Sequence, residues 1–95
     1  MLKNYKSPNN TITGTVDSPQ TFLYTDLDDE NGNALPATFD SIPAVMIKQS
    51  IGDCMVHFIP DSITTTQFQV ALSDLPGDGT LGSVDVMFKI VGETT

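Results

Sequence analysis

The run Ser83-Val84-Asp85-Val86-Met87-Phe88-Lys89-Ile90-Val91-Gly92 constrains the fold of this chain more than any other stretch. Its alternation sets Val84, Val86, Phe88 and Ile90 on one face and Asp85, Met87, Lys89 and Val91 on the other, the period of a half-buried strand. The same period recurs in Gln67-Phe68-Gln69-Val70-Ala71-Leu72, where Phe68, Val70 and Leu72 share a face. Turn chemistry separates such runs throughout: Asp17-Ser18-Pro19, Asn31-Gly32, Gly52-Asp53, Pro60-Asp61 and, strongest of all, Pro76-Gly77-Asp78-Gly79. Helix has no competing window, because no long stretch combines apolar spacing at three and four with freedom from Pro and Gly. The pattern predicts an all-β fold, a small antiparallel β-sandwich or barrel of six to seven strands.

The remaining strands are read from shorter signals. Thr11 to Val16 is β-prone, and Gln20 to Leu27 places Phe22, Tyr24 and Leu27 near the core. Asn31-Gly32 is a favoured hairpin pair because both residues tolerate positive φ. Phe39 anchors the weaker segment from Ala34 to Ser41, and Ile42-Pro43 introduces Ala44-Val45-Met46-Ile47-Lys48. Cys54-Met55-Val56-His57-Phe58-Ile59 follows as the expected hairpin partner of that run. Residues 1–10 are polar, with Pro8 and three asparagines, and predict a flexible or docking N-terminal arm ahead of a single β domain over residues 11–95.

Ninety-five residues bury roughly 60 to 65% of the surface of the unfolded chain, so the core is modest and a partner surface would add to its stability. Twelve acidic residues against four lysines and no arginine give a formal charge of -8. Nucleic acid and anionic membranes are poor partners for that balance, since both need clustered Lys or Arg. No apolar window approaches a membrane span, and no stretch of signal-peptide length follows Met1. The lone Cys54 predicts a buried or half-buried structural thiol with no intrachain disulfide.

No constellation in the chain assembles catalytic groups, and the expectation is a protein that is not an enzyme. His57 is the single histidine, on the same strand face as Met55 and Ile59, and it points outward if Val56 and Phe58 face the core. Asp26, Asp28, Asp29 and Glu30 are hard oxygen ligands of the kind calcium takes on loops, with Asn31 and Asn33 adding carbonyls. Their spacing misses the EF-hand loop, because neither an Asp five positions before Gly32 nor a Glu six after it is present. A solvated loop explains them without a metal, so no cofactor is expected. The residues expected to meet a partner are Leu2, Lys3, Tyr5 and Lys6 of the arm, with Met87 and Val91 on the outer face of the last strand.

Phe39-x-x-Ile42-Pro43-Ala44-Val45-Met46-Ile47, Ile63-Thr64-Thr65-Thr66-Gln67-Phe68-Gln69-Val70 and Val86-x-Phe88-x-Ile90-Val91-Gly92 follow one another over residues 35–92. This ordering resembles the small β-sandwich domains at the tips of phage tail fibres and the related H-type lectins. The resemblance implies a non-enzymatic virion surface protein, a capsid (head) decoration or tail-fibre-tip domain, that acts as a homo-oligomer, a homotrimer above all, beside other virion proteins. Its alternative implication is a carbohydrate-binding or host-attachment module that meets a host surface glycan. The aromatic pair common in the last strand of such domains is replaced here by Met87-Phe88, and their lectin residues have no counterparts, so no sugar site is carried over.

Overall fold

The computed structural model describes residues 1–15, 17–52, 54–73 and 81–95. Val16, Asp53 and the turn at Pro76-Gly77-Asp78-Gly79 lie outside the described residues. The last strand organises the molecule. Strand β6 (Leu81–Glu93) is the centre of a first antiparallel sheet, between β1 (Leu2–Thr15) and β3 (Ala44–Gly52). Its buried face is the expected one, with Val84, Val86, Phe88 and Ile90 all withdrawn from solvent. Ile12 and Tyr5 lie opposite Val84 and Ile90 from β1, and Val45 and Ile47 lie opposite Ile90 and Phe88 from β3. At about 3.3 Å per residue the 13 residues of β6 span about 43 Å, close to the 45 Å long axis of the molecule.

The second sheet is shorter. Strand β5 (Gln67–Ser73) is central in it, flanked antiparallel by β2 (Gln20–Leu23) and β4 (Met55–Phe58). Phe68, Val70 and Leu72 point into the space above β6. The sheets meet through aromatic rings: Phe68 stands edge-on to Phe88 at 5.0 Å between centroids, and Phe22 reaches Phe88 at 5.7 Å. Each such pair adds about 0.5 to 1.5 kcal/mol to the stabilisation from buried area. The fold is therefore all-β, two three-stranded antiparallel sheets face to face.

The segment between β2 and β3 closes one end of the core. A single 3₁₀ turn, Tyr24–Asp26, buries the Tyr24 ring, which packs edge-on against Phe39 at 4.9 Å. Tyr24 donates its hydroxyl to the Thr64 carbonyl at 2.9 Å, and burial pushes its pKa up to about 12. Phe39 in turn lies over Gly92, where a Cβ would come within 2.5 Å of the ring. A glycine is needed at that point of β6 for the loop to approach the sheet.

Two expectations are corrected. Residues 1–10 do not form a separate arm: they belong to β1, which pairs with β6 from Leu2 opposite Glu93 to Thr15 opposite Leu81. The polar composition hid this because β1 is an edge strand that needs few apolar groups; Tyr5, Ser7 and Ile12 turn inward while Leu2, Lys6 and Thr11 stay exposed. Pro8 sits in a β-bulge between Ser7 and Asn10, where a missing N–H costs no ladder bond, and Asn10 satisfies the buried Ser7 hydroxyl at 3.0 Å. The second correction concerns pairing. Ala44–Gly52 and Met55–Phe58 are not hairpin partners, since β3 joins β6 in one sheet and β4 joins β5 in the other. The reason is non-local: Gly52 lies so close to the Ser83–Val84 backbone that a side chain would not fit, while Val56 and Phe58 find Leu72 and Val70. The turn expected at Asn31-Gly32 forms, bridged between Asp28 and Ala34, with Gly32 at positive φ, 82°. The turn closes with Gly32 N–H donating to the Asp29 carbonyl at 3.0 Å and Asp29 N–H donating to the Asn33 carbonyl at 2.7 Å, which asks for one left-handed residue.

Candidate functional site: the outer face of the β1–β6–β3 sheet

The first sheet has one face in the core and one in solvent, and its registers place the solvent-facing residues in rows. Asn4, Val91 and Ala44 form one row across β1, β6 and β3. Lys6, Lys89 and Met46 form the next, followed by Met87 with Gln49, and then by Thr11, Asp85 and Ile51. Leu2 lies beyond the first row, opposite Glu93. This face carries more apolar surface than a solvated sheet needs: Leu2 is 60% exposed, Ile51 61% and Met46 38%. Met87 and Val91 are half-buried between them.

Of the six residues expected to meet a partner, the structure brings Leu2, Lys6, Met87 and Val91 onto this one face. It separates the other two. Tyr5 turns inward and packs edge-on against Phe39 at 6.0 Å, and Lys3 pairs with Gly92 on the opposite side of the strand. Met46, Ile51 and Lys89 join the face although they were not singled out. A one-residue bulge between Ile47 and Gln49 explains Ile51, because strict alternation from Val45 would have sent Ile51 to the core. The signal for Lys89 was present, since it alternates with Met87 and Val91.

The electrostatics of the face are unusual for so acidic a chain. Lys6 and Lys89 stand directly opposite one another, an arrangement that destabilises a sheet unless a counter-charge joins it. Among the described residues neither has a carboxylate partner; the salt bridge found there joins the Met1 ammonium to Glu93 at 3.2 Å. Asp85 is four residues from Lys89 along β6, about 13 Å away, and accepts a hydrogen bond from the Thr11 hydroxyl at 2.9 Å. At the β1 bulge, Pro8, Asn9, Asn10, Thr11 and Asp85 line a polar depression of about 260 Å³.

Asp29 uses one carboxylate oxygen to accept the N–H groups of Asn31 and Asn33, both at 2.9 Å, and so fixes the hairpin turn. Asp26, Asp28 and Glu30 are exposed around it, and among the described residues no group of three or more His, Cys, Asp or Glu side chains is arranged to hold a metal ion. His57 is exposed on the outer face of the second sheet, with Nδ1 at 2.6 Å from the Ser73 hydroxyl. That contact pairs a hydroxyl with a base, yet among the described residues no third group hydrogen-bonds to His57 to orient it as a nucleophile system requires. Cys54 is half-buried against the core, and its sulfur fills the space a side chain at Gly82 would occupy.

No protein-family model matches this chain, and no curated protein or solved structure is significantly similar to it.

Proposed function

We propose that this chain is a non-enzymatic structural module that works as a homo-oligomer, a building block on the outside of a virus particle as head decoration or fibre tip. The observation that carries the self-association is the outer face of the β1–β6–β3 sheet, where Leu2, Met46, Met87, Val91 and Ile51 surround two lysines. Three strands about 4.8 Å apart, β1 and β6 about 45 Å long and β3 about 30 Å, present roughly 570 Å². A standard stable interface takes roughly 800 Å² from each partner, so this face supplies most of one side. The placement on a virus particle rests on the resemblance over residues 35–92 and on an acidic surface suited to an abundant, soluble coat component.

Sedimentation velocity at micromolar concentration tests the first part: a species near three times 10.2 kDa is expected, and a lone 10.2 kDa species contradicts it. Mass spectrometry of intact particles from the source tests the second, by finding the chain at stoichiometric or at trace levels. A glycan-binding adhesion module is the second reading, favoured by the polar depression at Asn9, Asn10, Thr11 and Asp85, whose oxygen and amide groups suit sugar hydroxyls. A glycan array lost on Asp85→Ala would establish it.

A further inference from the structure

We infer that the occupant of the Lys6–Lys89 face is the acidic hairpin at Asp26 to Glu30 of a second copy of this chain. The inference rests on the self-association proposed above and names its two surfaces. Half of the lysines of a chain with formal charge -8 are brought side by side by the β1–β6 register, at a cost in repulsion that no carboxylate among the described residues offsets. The repulsion is relieved when a carboxylate group from outside the molecule docks there. The same chain supplies that group. Asp28 and Glu30 are exposed on a hairpin whose turn Asp29 fixes, and Asp26 is exposed on the 3₁₀ turn before it, so little ordering is lost on docking.

The two surfaces are different patches of the molecule, so the contact is heterologous: the hairpin of one copy meets the sheet of the next, and the chain of contacts closes into a ring or runs on as a fibre. Exposed ion pairs are individually weak. The charges therefore select the partner and its orientation, while Leu2, Met46 and Ile51 around the lysines supply the apolar contact that holds it.

Charge reversal on either side, followed by mixing, tests this. Lys6→Glu with Lys89→Glu makes both patches of one variant acidic; Asp28→Lys with Glu30→Lys makes both patches of the other basic. Each variant alone should sediment at 10.2 kDa under conditions where the wild-type chain is larger, and an equimolar mixture should form species larger than 10.2 kDa in which the two variants alternate, because each hairpin then meets a sheet of opposite charge. Molar salt should weaken the wild-type assembly. If both variants assemble like the wild type, or both stay monomeric when mixed while keeping the wild-type circular dichroism, the inference is overturned and the homo-oligomer reading stands. A wild-type chain that stays monomeric at high-micromolar concentration overturns both and leaves the face to another acidic partner. Should charge reversal unfold the chain, Lys6→Gln with Lys89→Gln keeps the test decisive: wild-type association must weaken at least tenfold, and unchanged association contradicts the inference.

Discussion

At the scale of single residues, stability concentrates where the two sheets touch. Phe88 is fully buried and meets Phe22, Phe58 and Phe68, so Phe88→Ala removes both a large transfer term and the support of three rings. A loss of about 3 to 5 kcal/mol is expected in chemical denaturation, enough to unfold much of so small a domain. Tyr24 gives a prediction in pH. Its phenol, raised to about 12 by burial against the ordinary 10, stays neutral in the folded chain after the unfolded chain has begun to ionise. Stability from this group is full below about pH 10 and falls as pH rises from there towards 12, by about 2 to 3 kcal/mol at most. Tyr24→Phe should flatten that alkaline slope in denaturation midpoints measured between neutral pH and 12, and an unchanged slope would assign it elsewhere. Both residues were legible from the sequence, because each is a large aromatic in an apolar alternation. Ser7 was not: a buried serine in a polar segment carries no periodic signal, and its place depends on Asn10 from across the bulge.

Elements were legible in proportion to how strongly they alternate. Strands β5 and β6 declare themselves, since each buries a complete apolar face. Strand β1 does not, because an edge strand borrows its order from the neighbour it pairs with, and that neighbour lies some eighty positions further along the chain. The partners of β3 and β4 were hidden for a related reason: two adjacent apolar runs with a Gly-Asp turn between them look alike whether they pair or cross between sheets. The consequence for β1 can be measured. Deleting residues 1–10 exposes one edge of β6 from Val86 to Glu93 and removes Tyr5 from Phe39. The melting temperature of the truncated chain should collapse or fall by well over ten degrees, about what a loss of several kcal/mol produces in a domain of this size. A dispensable arm would leave it unchanged.

For the whole molecule, the fold class and the core were readable, while the proposed contact surface was readable only in part. Leu2, Lys6, Met87 and Val91 could be chosen as exposed or out-of-phase residues, but their meeting on one face depends on the β1–β6 register, and the addition of Ile51 depends on a bulge. The two outer faces of the sandwich now make a controlled comparison. Leu2 and Ile51 lie on the outside of the first sheet, and Leu23 and Met55 are the exposed apolar residues of the second, with exposures of 41% and 56%. The most direct measurement is sedimentation velocity of Leu2→Ser with Ile51→Ser beside Leu23→Ser with Met55→Ser at matched concentration. The first variant should fall to 10.2 kDa while the second keeps the wild-type size. Dissociation of the second variant with persistence of the first would contradict the proposal that this protein assembles through the β1–β6–β3 face.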